Sequence, residues 1–312
     1  MNRISIAIFH RAKNKSPLST LHITPYHIVM ESSGKDNNLL SEEQSRLLDA
    51  LKSSCPDATL EERIRFLRGK NYNLNIATKQ LNAYLQWRRD HDLDDDKWNN
   101  RNDNGDDWKL ASQKAFRRVN NHADHGAAVE LPQILFTIQK GNKNACTEKD
   151  GDESNNQIMI LHLIPALLDP KVAPLEVYSL TIAYYLDRQL DRHVDQAAYV
   201  LLDTRRGVGW PNTKAFALMS FIRQTISILQ EMYPERLAKT IVFNLPWACK
   251  YLWEMVKPFL DPNTREKVVV CSGKDDPEAE PPQKVLCCDE SIMTVKILER
   301  MEKMRRSLFA AE

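Results

Sequence analysis

From Ser41 the chain switches from scattered polar residues to short apolar stripes at helical spacing. Leu47, Leu48 and Leu51 form one stripe, Leu60, Ile64 and Leu67 a second, and Ile76, Leu81, Leu85 and Trp87 a third. Ser41 with Gln44 and Thr59 with Glu62 fit capping boxes, in which side chain and backbone satisfy each other at a helix start; Asn73 fits an N-cap. The pattern predicts three short helices over residues 41–92. After Asn120 it changes. Apolar, β-rich runs at Ile134–Ile138, Gln157–Ile164, Ala197–Leu202, Ile241–Leu245 and Lys267–Cys271 alternate with helical segments near 174–190, 213–233 and 247–260. Leu175, Tyr178, Ile182, Leu186 and Leu190 mark one face of the first of these; Leu218, Ile222, Leu229 and Met232 mark the second. Strands alternating with helices of this length predict an α/β fold with a mostly parallel sheet. A charged helix near 289–308 follows a spacer, Ser272–Pro282, whose Pro, Asp and Glu content reads as flexible.

Four segments result: a tail at 1–40, an N-terminal helical domain at 41–125, an α/β domain at 130–275 and a C-terminal helix at 285–312. Residues 1–30 contain no acid but carry Arg3, Arg11, Lys13 and Lys15, which fits either an organelle-targeting segment or a disordered tail.

Composition narrows the function. A net charge of +1 on 312 residues gives no field for nucleic acid, and no run of 18 apolar residues offers a membrane span. The six cysteines show no CxxC spacing, the adjacent Cys287 and Cys288 bridge only with strain, and free thiols are expected. No G-x-S-x-G elbow and no P-loop occur. Gly207 and Gly209 follow a strand, but Asn212 stands where a dinucleotide fingerprint needs glycine; both glycines read as turn positions with positive φ. His122 and His125 lack further ligands, and the eight aspartates between Asp90 and Asp107 do not match a calcium loop, so no metal or cofactor is expected. Asp203, at the end of a buried strand, is expected to pair with Arg205 or Arg206 or to cap the turn. Nothing assembles a nucleophile, a base and an orienting group, and the chain is not expected to be an enzyme.

The segment YPERLAKTIVFNLPWACKYLWEMVKPFLDPNTREKVVV (233–270) combines Y-P-E-R, N-x-P-W and K-P-F-L-D-P. It resembles the core signature of the CRAL-TRIO family, which includes phosphatidylinositol/phosphatidylcholine transfer proteins and tocopherol or retinaldehyde carriers. RIRFLRGKNYN (63–73), AYLQWRRD (83–90) and YVLLDTRRGVGWPN (199–212) agree in order, so the resemblance spans roughly residues 41–272. Two stretches depart from it: KDGDESNNQIM (149–159) replaces a shorter turn, and VLCCDESIM (285–293) replaces a Pro- and Gly-bearing closing element.

The resemblance implies a hydrophobic lipid pocket closed by a mobile helix at 247–260, with Trp247, Tyr251, Leu252, Trp253, Met255, Val256 and Phe259 as gate and pocket residues. The alternative for a helix apolar all round is plain burial. Trp253 and Phe259 are the residues expected to enter the membrane interface. Glu235, Thr264 and Lys267 match positions that contact the inositol head group in phosphatidylinositol-binding members; Lys70 stands where those members carry Arg. Each also has an ordinary reading: Glu235 pairs with Arg236 or Lys239, Thr264 caps a helix, Lys267 is solvated. The resemblance thus implies a monomeric, cytoplasmic carrier of phospholipid in peripheral contact with membranes. A protein-interaction module and a carrier of another ligand such as tocopherol are the alternatives.

Overall fold

The computed structural model describes residues 41–95, 98, 106–120, 130–140, 158–207, 215–288 and 292–310. The tail, the turn before Ile158, Gly209, His122 and His125 lie outside these residues, as does much of the aspartate-rich stretch. The chain from Glu42 onward forms one compact unit.

Helices α1 (Glu42–Ser54), α2 (Leu60–Arg68) and α3 (Leu74–Asp90) form where expected. The second capping box is present: Glu62 N donates to Thr59 Oγ1 at 3.1 Å and Thr59 N to Glu62 Oε2 at 2.8 Å. Asn73 Oδ1 accepts from Ile76 N at 3.2 Å. Leu48, Leu51, Phe66, Leu67, Ala77, Leu81 and Leu85 make the core. Ile76 and Leu60 do not join it, being 52% and 54% exposed. The inner stripe of α3 runs Ala77, Leu81, Tyr84, Leu85, Arg88, and Ile76 lies roughly 100° off its axis.

The α/β part comprises α4 (Asp107–Asn120), β1 (Leu135–Gln139), β2 (Ile158–Leu163), α5 (Leu175–Gln189), β3 (Ala197–Asp203), α6 (Met219–Met232), β4 (Leu237–Leu245), α7 (Lys250–Val256), α8 (Pro262–Glu266) and β5 (Val268–Ser272). The strands stand in the order β1-β2-β3-β4-β5. β1 pairs antiparallel to β2, and the other neighbours are parallel. β4 starts four residues before the predicted Ile241, because Lys239 and Thr240 break the apolar run.

Helix α5 is buried on every side from Val177 to Leu186, not on one face, because α4, α6 and the sheet enclose it. Thr181 Oγ1 donates to Val177 O at 2.7 Å within the helix, and Arg188 Nε donates to Asp107 Oδ1 of α4 at 2.6 Å. A buried set of ionic contacts joins these elements to α2 and α3. Glu62, fully buried, accepts from Nε and Nη2 of Arg192 at 2.9 Å each and from the Tyr84 hydroxyl at 2.9 Å.

The 272–282 spacer is held down rather than flexible. Asn244 Nδ2 donates to Lys274 O at 2.8 Å, Arg205 Nη1 to Ala279 O at 2.8 Å and Arg206 N to Asp275 O at 2.7 Å. Helices α9 (Gln283–Leu286) and α10 (Val295–Phe309) then cover one face of the sheet. The last helix starts at Val295, six residues later than predicted, where Thr294 Oγ1 accepts from Ile297 N at 3.4 Å. Leu286, Met293, Leu298 and Met301 pack there against Tyr199, Leu201, Ile241 and Phe243. Gly207 makes room for this cover: a Cβ there would stand 2.4 Å from the Phe309 ring, and its φ lies outside the left-handed region. Close approach, not turn geometry, accounts for this glycine.

Candidate functional site

Side chains alternate across a strand, so the register divides the sheet into two faces. On the face under α10, Tyr199, Leu201, Asp203, Ile241 and Phe243 are each 0% exposed. Their neighbours on the opposite face, Val200, Leu202, Thr240 and Val242, align with Val268 and Val270 of the edge strand. All six are only half-buried. They form an apolar floor that its own chain leaves incompletely covered. Above it stands α6, in which Phe221 alone is fully buried.

The predicted helix 247–260 is three pieces: a 3₁₀ turn at Trp247–Cys249, α7, and a second 3₁₀ turn at Lys257–Phe259. Pro258 explains the second break, since it has no N–H to continue the helical ladder. None of these residues is buried. Two stripes are separated around the segment. Trp247, Tyr251 and Met255, spaced by four, are 77%, 52% and 37% exposed. Leu252, Trp253, Val256 and Phe259 are half-buried. Trp253 and Phe259 are therefore not the outward aromatics: Arg223 lies 4.4 Å over the Phe259 ring, and Lys257 lies 5.6 Å over Trp253. Just beyond the segment, Gln230 Nε2 of α6 donates to Asp261 Oδ2 at 2.6 Å.

The polar residues singled out in the sequence gather at the other end of the strands. Lys267 Nζ lies 3.3 Å from Glu235 Oε2, both side chains partly exposed. Glu235 thus pairs with Lys267, not with Arg236 or Lys239. The turn carrying Lys70 abuts that of Glu235: a Cβ on Gly69 would meet Pro234 at 3.1 Å and Glu235 at 3.8 Å. Thr264 is one turn from Lys267, whose N–H donates to Thr264 O at 3.1 Å. Asp261, not Thr264, is the N-cap of α8; it accepts from Thr264 N at 2.9 Å and from its hydroxyl at 2.6 Å. Glu235 has φ 56°, and Asn71 and Tyr72 beside Lys70 have φ 49° and 59°. Three left-handed non-glycine residues flank this one spot, a conformation that side chains with a Cβ resist.

Two arginines near this spot have roles that the sequence reading did not give them. Arg236 is buried and donates to the carbonyls of Val194, Gln196 and Asp191 at 2.8, 2.6 and 2.6 Å. Arg65 is equally buried, yet its Nε and Nη1 have no hydrogen-bond partner. Burial, then the Arg65 charge, pulls the Arg236 pKa down to about 10. Burial likewise lowers Arg65, partly opposed by Tyr84 and Glu62. The signal in the sequence was Glu62 and Arg65, three apart among apolar residues and so on one helix face.

At the C-terminal end of β3, Asp203 is bonded by Arg205 at 2.8 Å and lies 3.1 Å from Arg305 Nε, with His162 Nε2 at 3.4 Å. Glu302 of α10 completes the set, 2.6 Å from Arg205. Burial pushes Asp203 up, but the His162 ring and Arg205 hold its pKa well below the usual carboxylate value. This is a latch between sheet and cover, built from buried ionic contacts. Among the described residues no three His, Cys, Asp or Glu could hold a metal ion, and no helix is long and apolar enough to cross a membrane.

Residues 148–282 match the family model described as the CRAL/TRIO domain. This part of the chain is a CRAL/TRIO domain. The chain is 23% identical over 250 residues to a CRAL-TRIO domain-containing protein of Saccharomyces cerevisiae, covering 76% of this chain and 73% of that one. It is 25% identical to the Sec14 cytosolic factor of Schizosaccharomyces pombe, with 68% and 65% covered. It is 26% identical to the phosphatidylinositol transfer protein PDR17 of Saccharomyces cerevisiae, with 66% and 50% covered, so it spans about half of that relative. The crystal structure of Sfh5 superimposes with a TM-score of 0.51 at 13% identity, covering 82% of this chain and 85% of the other. That likeness concerns the fold.

Proposed function

We propose that this protein carries a single phospholipid, phosphatidylinositol being the head group its polar cluster suits, and exchanges it at membrane surfaces without chemical change. The observation that carries this reading is an asymmetry of β3 and β4: Tyr199, Leu201, Ile241 and Phe243 are closed off on one face, Val200, Leu202 and Val242 stay half-buried on the other, and the segment that follows β4, 247–259, has no buried residue. Water on that floor is costly, at about 25 cal/mol per Å² of apolar surface. Acyl chains would cover it, and moving them from a bilayer to the floor exchanges one apolar medium for another. A lipid stranded in water instead loses about 0.8 kcal/mol per CH₂, so exchange must occur at the membrane.

The segment 247–259 acts as gate in this reading. Leu252, Val256, Trp253 and Phe259 turn inward toward the acyl chains. Trp247, Tyr251 and Met255 turn outward and rest on the bilayer, where aromatic side chains favour the interface. Lys70 and Lys267 face the lipid phosphates, Glu235 accepts from inositol hydroxyls, and the Thr264 hydroxyl keeps a free acceptor site. Lys70 in place of arginine retains the charge but gives up the bidentate fork. Buried Arg65 adds positive potential behind them. The strained backbone at Asn71, Tyr72 and Glu235 fits a spot shaped for a ligand.

Gentle purification followed by organic extraction and lipid mass spectrometry tests the proposal. About one phosphatidylinositol per chain is expected, as is uptake from liposomes when the protein is stripped. Extracts at background together with no uptake would end the carrier reading; a different lipid at the same stoichiometry would move the head-group assignment alone.

A further inference from the structure

Two apolar side chains stand in water at the start of α3, and the carrier reading uses neither. Tyr72 is 39% and Ile76 52% exposed. The sequence around them is one-sided in charge: from Arg63 to Arg89 it holds no acid, and Lys70 and Lys79 bracket the pair. Lys79 is exposed and lies one turn from Ile76 on the outward side of the helix. The turn that displays Tyr72 is tightly closed. Backbone N–H groups of Lys70, Asn71 and Tyr72 donate to the last turn of α2 at 3.2, 3.0 and 2.8 Å. Within it Asn71 and Tyr72 keep left-handed φ values, a conformation costly for a residue with a Cβ. Ile76 is the third residue of α3, after the Asn73 cap. Acidic side chains suit that position in water, because a helix N-terminus carries partial positive charge. An isoleucine between lysines suits instead a surface that is negative outside and apolar beneath.

The patch adjoins both parts of the candidate site. Its turn abuts Pro234 and Glu235 through Gly69. Gln80, one turn after Ile76, donates through Nε2 to the carbonyls of Gln230 and Glu231 at the end of α6, at 3.3 and 3.0 Å. Gln230 in turn bonds Asp261, just beyond the segment 247–259. Two acids on this boundary are engaged: Glu231 accepts from Ser227 Oγ at 3.0 Å, and Glu235 pairs with Lys267.

We propose that the turn 69–73 and the start of α3 form a second membrane contact, made with an anionic bilayer. Tyr72 and Ile76 enter the interface, and Lys79 with the helix N-terminus faces lipid phosphates. Size and charge favour a bilayer over a protein partner. Two side chains cover far less than the roughly 800 Å² per partner that a stable protein interface buries. At a membrane their burial adds to that of other contacts, and each basic residue near an anionic surface is attracted in its own right. A protein held at one point can pivot. Two points, this one and 247–259, turn the end that carries Glu235 and Lys267 toward the lipid head groups. That orienting role rests on the carrier reading; the contact itself does not.

The test uses the full-length chain and vesicles of phosphatidylcholine with and without phosphatidylserine, bound protein being measured by sedimentation. Tyr72→Asn with Ile76→Asp respects the backbone, since asparagine tolerates left-handed φ and aspartate suits a helix start. Its melting curve should match wild type, and its affinity for phosphatidylserine vesicles should fall about tenfold as charge meets the apolar layer. Val295→Asp, at a similarly exposed apolar position that opens α10, is the control and should bind normally. Lys79→Glu should weaken binding to phosphatidylserine vesicles severalfold, an effect that high salt removes, and leave binding to phosphatidylcholine alone unchanged. Normal binding by the folded double variant, or an equal loss in Val295→Asp, would overturn the proposal. Loss of a protein partner with vesicle binding intact would overturn it in favour of a protein surface. If the double variant melts early, Lys79→Glu decides alone, and unchanged affinity ends the proposal. Reduced vesicle binding in a chain that extracts without lipid supports the contact and counts against carriage. A lipid-loaded chain whose variants bind vesicles normally keeps carriage and removes this contact.

Discussion

The two faces of one sheet differ more than the sequences that make them. Ile241 and Val242 are neighbours in β4, and Leu201 and Leu202 in β3; the first of each pair is 0% exposed and the second half-buried. Both faces are apolar, so composition does not set them apart. What differs is the cover. The closed face has a helix bound by packing and by ions, with Asp203, Arg205, Glu302 and Arg305 joining strand to helix. The open face has a broken segment held by a few surface contacts. Covers with many buried contacts open only with the whole fold, and covers with few open locally. On the carrier reading proposed above, one fold thus has a permanent lid and a provisional one.

The largest expected effect breaks the permanent side. Asp203→Ala leaves Arg205 and Arg305 buried without their shared carboxylate, and removing one partner of a buried ion set costs about 3–5 kcal/mol. Denaturant melts should show that loss, or no folded protein at all. Val242→Ala, on the open face, removes two methyl groups from a half-buried site and should cost about 1 kcal/mol or less. Equal losses would mean that the open floor is ordinary core.

Next comes the provisional lid. Trp247→Asp with Tyr251→Asp should leave the melting curve unchanged, since neither ring is buried, but abolish transfer of a fluorescent lipid between vesicles. Charge resists entry into the apolar layer by about 2.5–3.5 kcal/mol per residue at the centre of a span and less at its edge. The inward pair offers the contrast: Leu252→Ala with Phe259→Ala should lower lipid retention and leave membrane binding intact. Wild-type transfer by the folded Asp variant would show that 247–259 is not the membrane contact. A smaller effect is expected at the head group. Lys267→Ala removes a charged hydrogen-bond donor, a contact of about 1.5–3 kcal/mol, and should weaken phosphatidylinositol loading roughly tenfold or more. Phosphatidylcholine loading should change less; an equal fall for both lipids would indicate damage shared by the whole pocket.

The closed and open faces were unequally legible in the sequence. Strand and helix positions could be read because apolar spacing is a local property, and the caps at Thr59 and Asn73 are local too. Which face of β4 would be covered could not, because Leu298 and Met301 lie more than fifty residues beyond it. The spacer at 272–282 looked free for the same reason: its partners, Arg205 and Asn244, come from the turn after β3 and from β4. The break at Pro258 was present in the sequence and was outweighed there by the run of apolar residues around it. At the polar cluster the residue types were legible through the family pattern, whereas the Glu235–Lys267 contact, across 32 positions, required the fold.

The smallest expected effect uses pH to separate the two sides. Burial, reinforced by Arg118 and Lys114, pulls His91 down to about 4 from its ordinary 6.5. Its Nδ1 meets the Tyr184 hydroxyl of α5, on the side away from the latch. A histidine with a depressed folded pKa binds fewer protons folded than unfolded between pH 4 and 6.5, so stability falls as pH drops through that window and is unaffected above it. Asp203 behaves differently. Its folded pKa lies far below the unfolded value of 3.8, so its contribution is complete above that pH and fades only below it. Melting temperature against pH should therefore decline in two stages, shallow from pH 6.5 to 4 and steep below. His91 is half-exposed, which screens its charge and keeps the first stage small. His91→Gln should flatten the first stage and leave the second in place. A single decline that begins below pH 4 would show that water reaches His91 and that the open side is looser than its packing suggests.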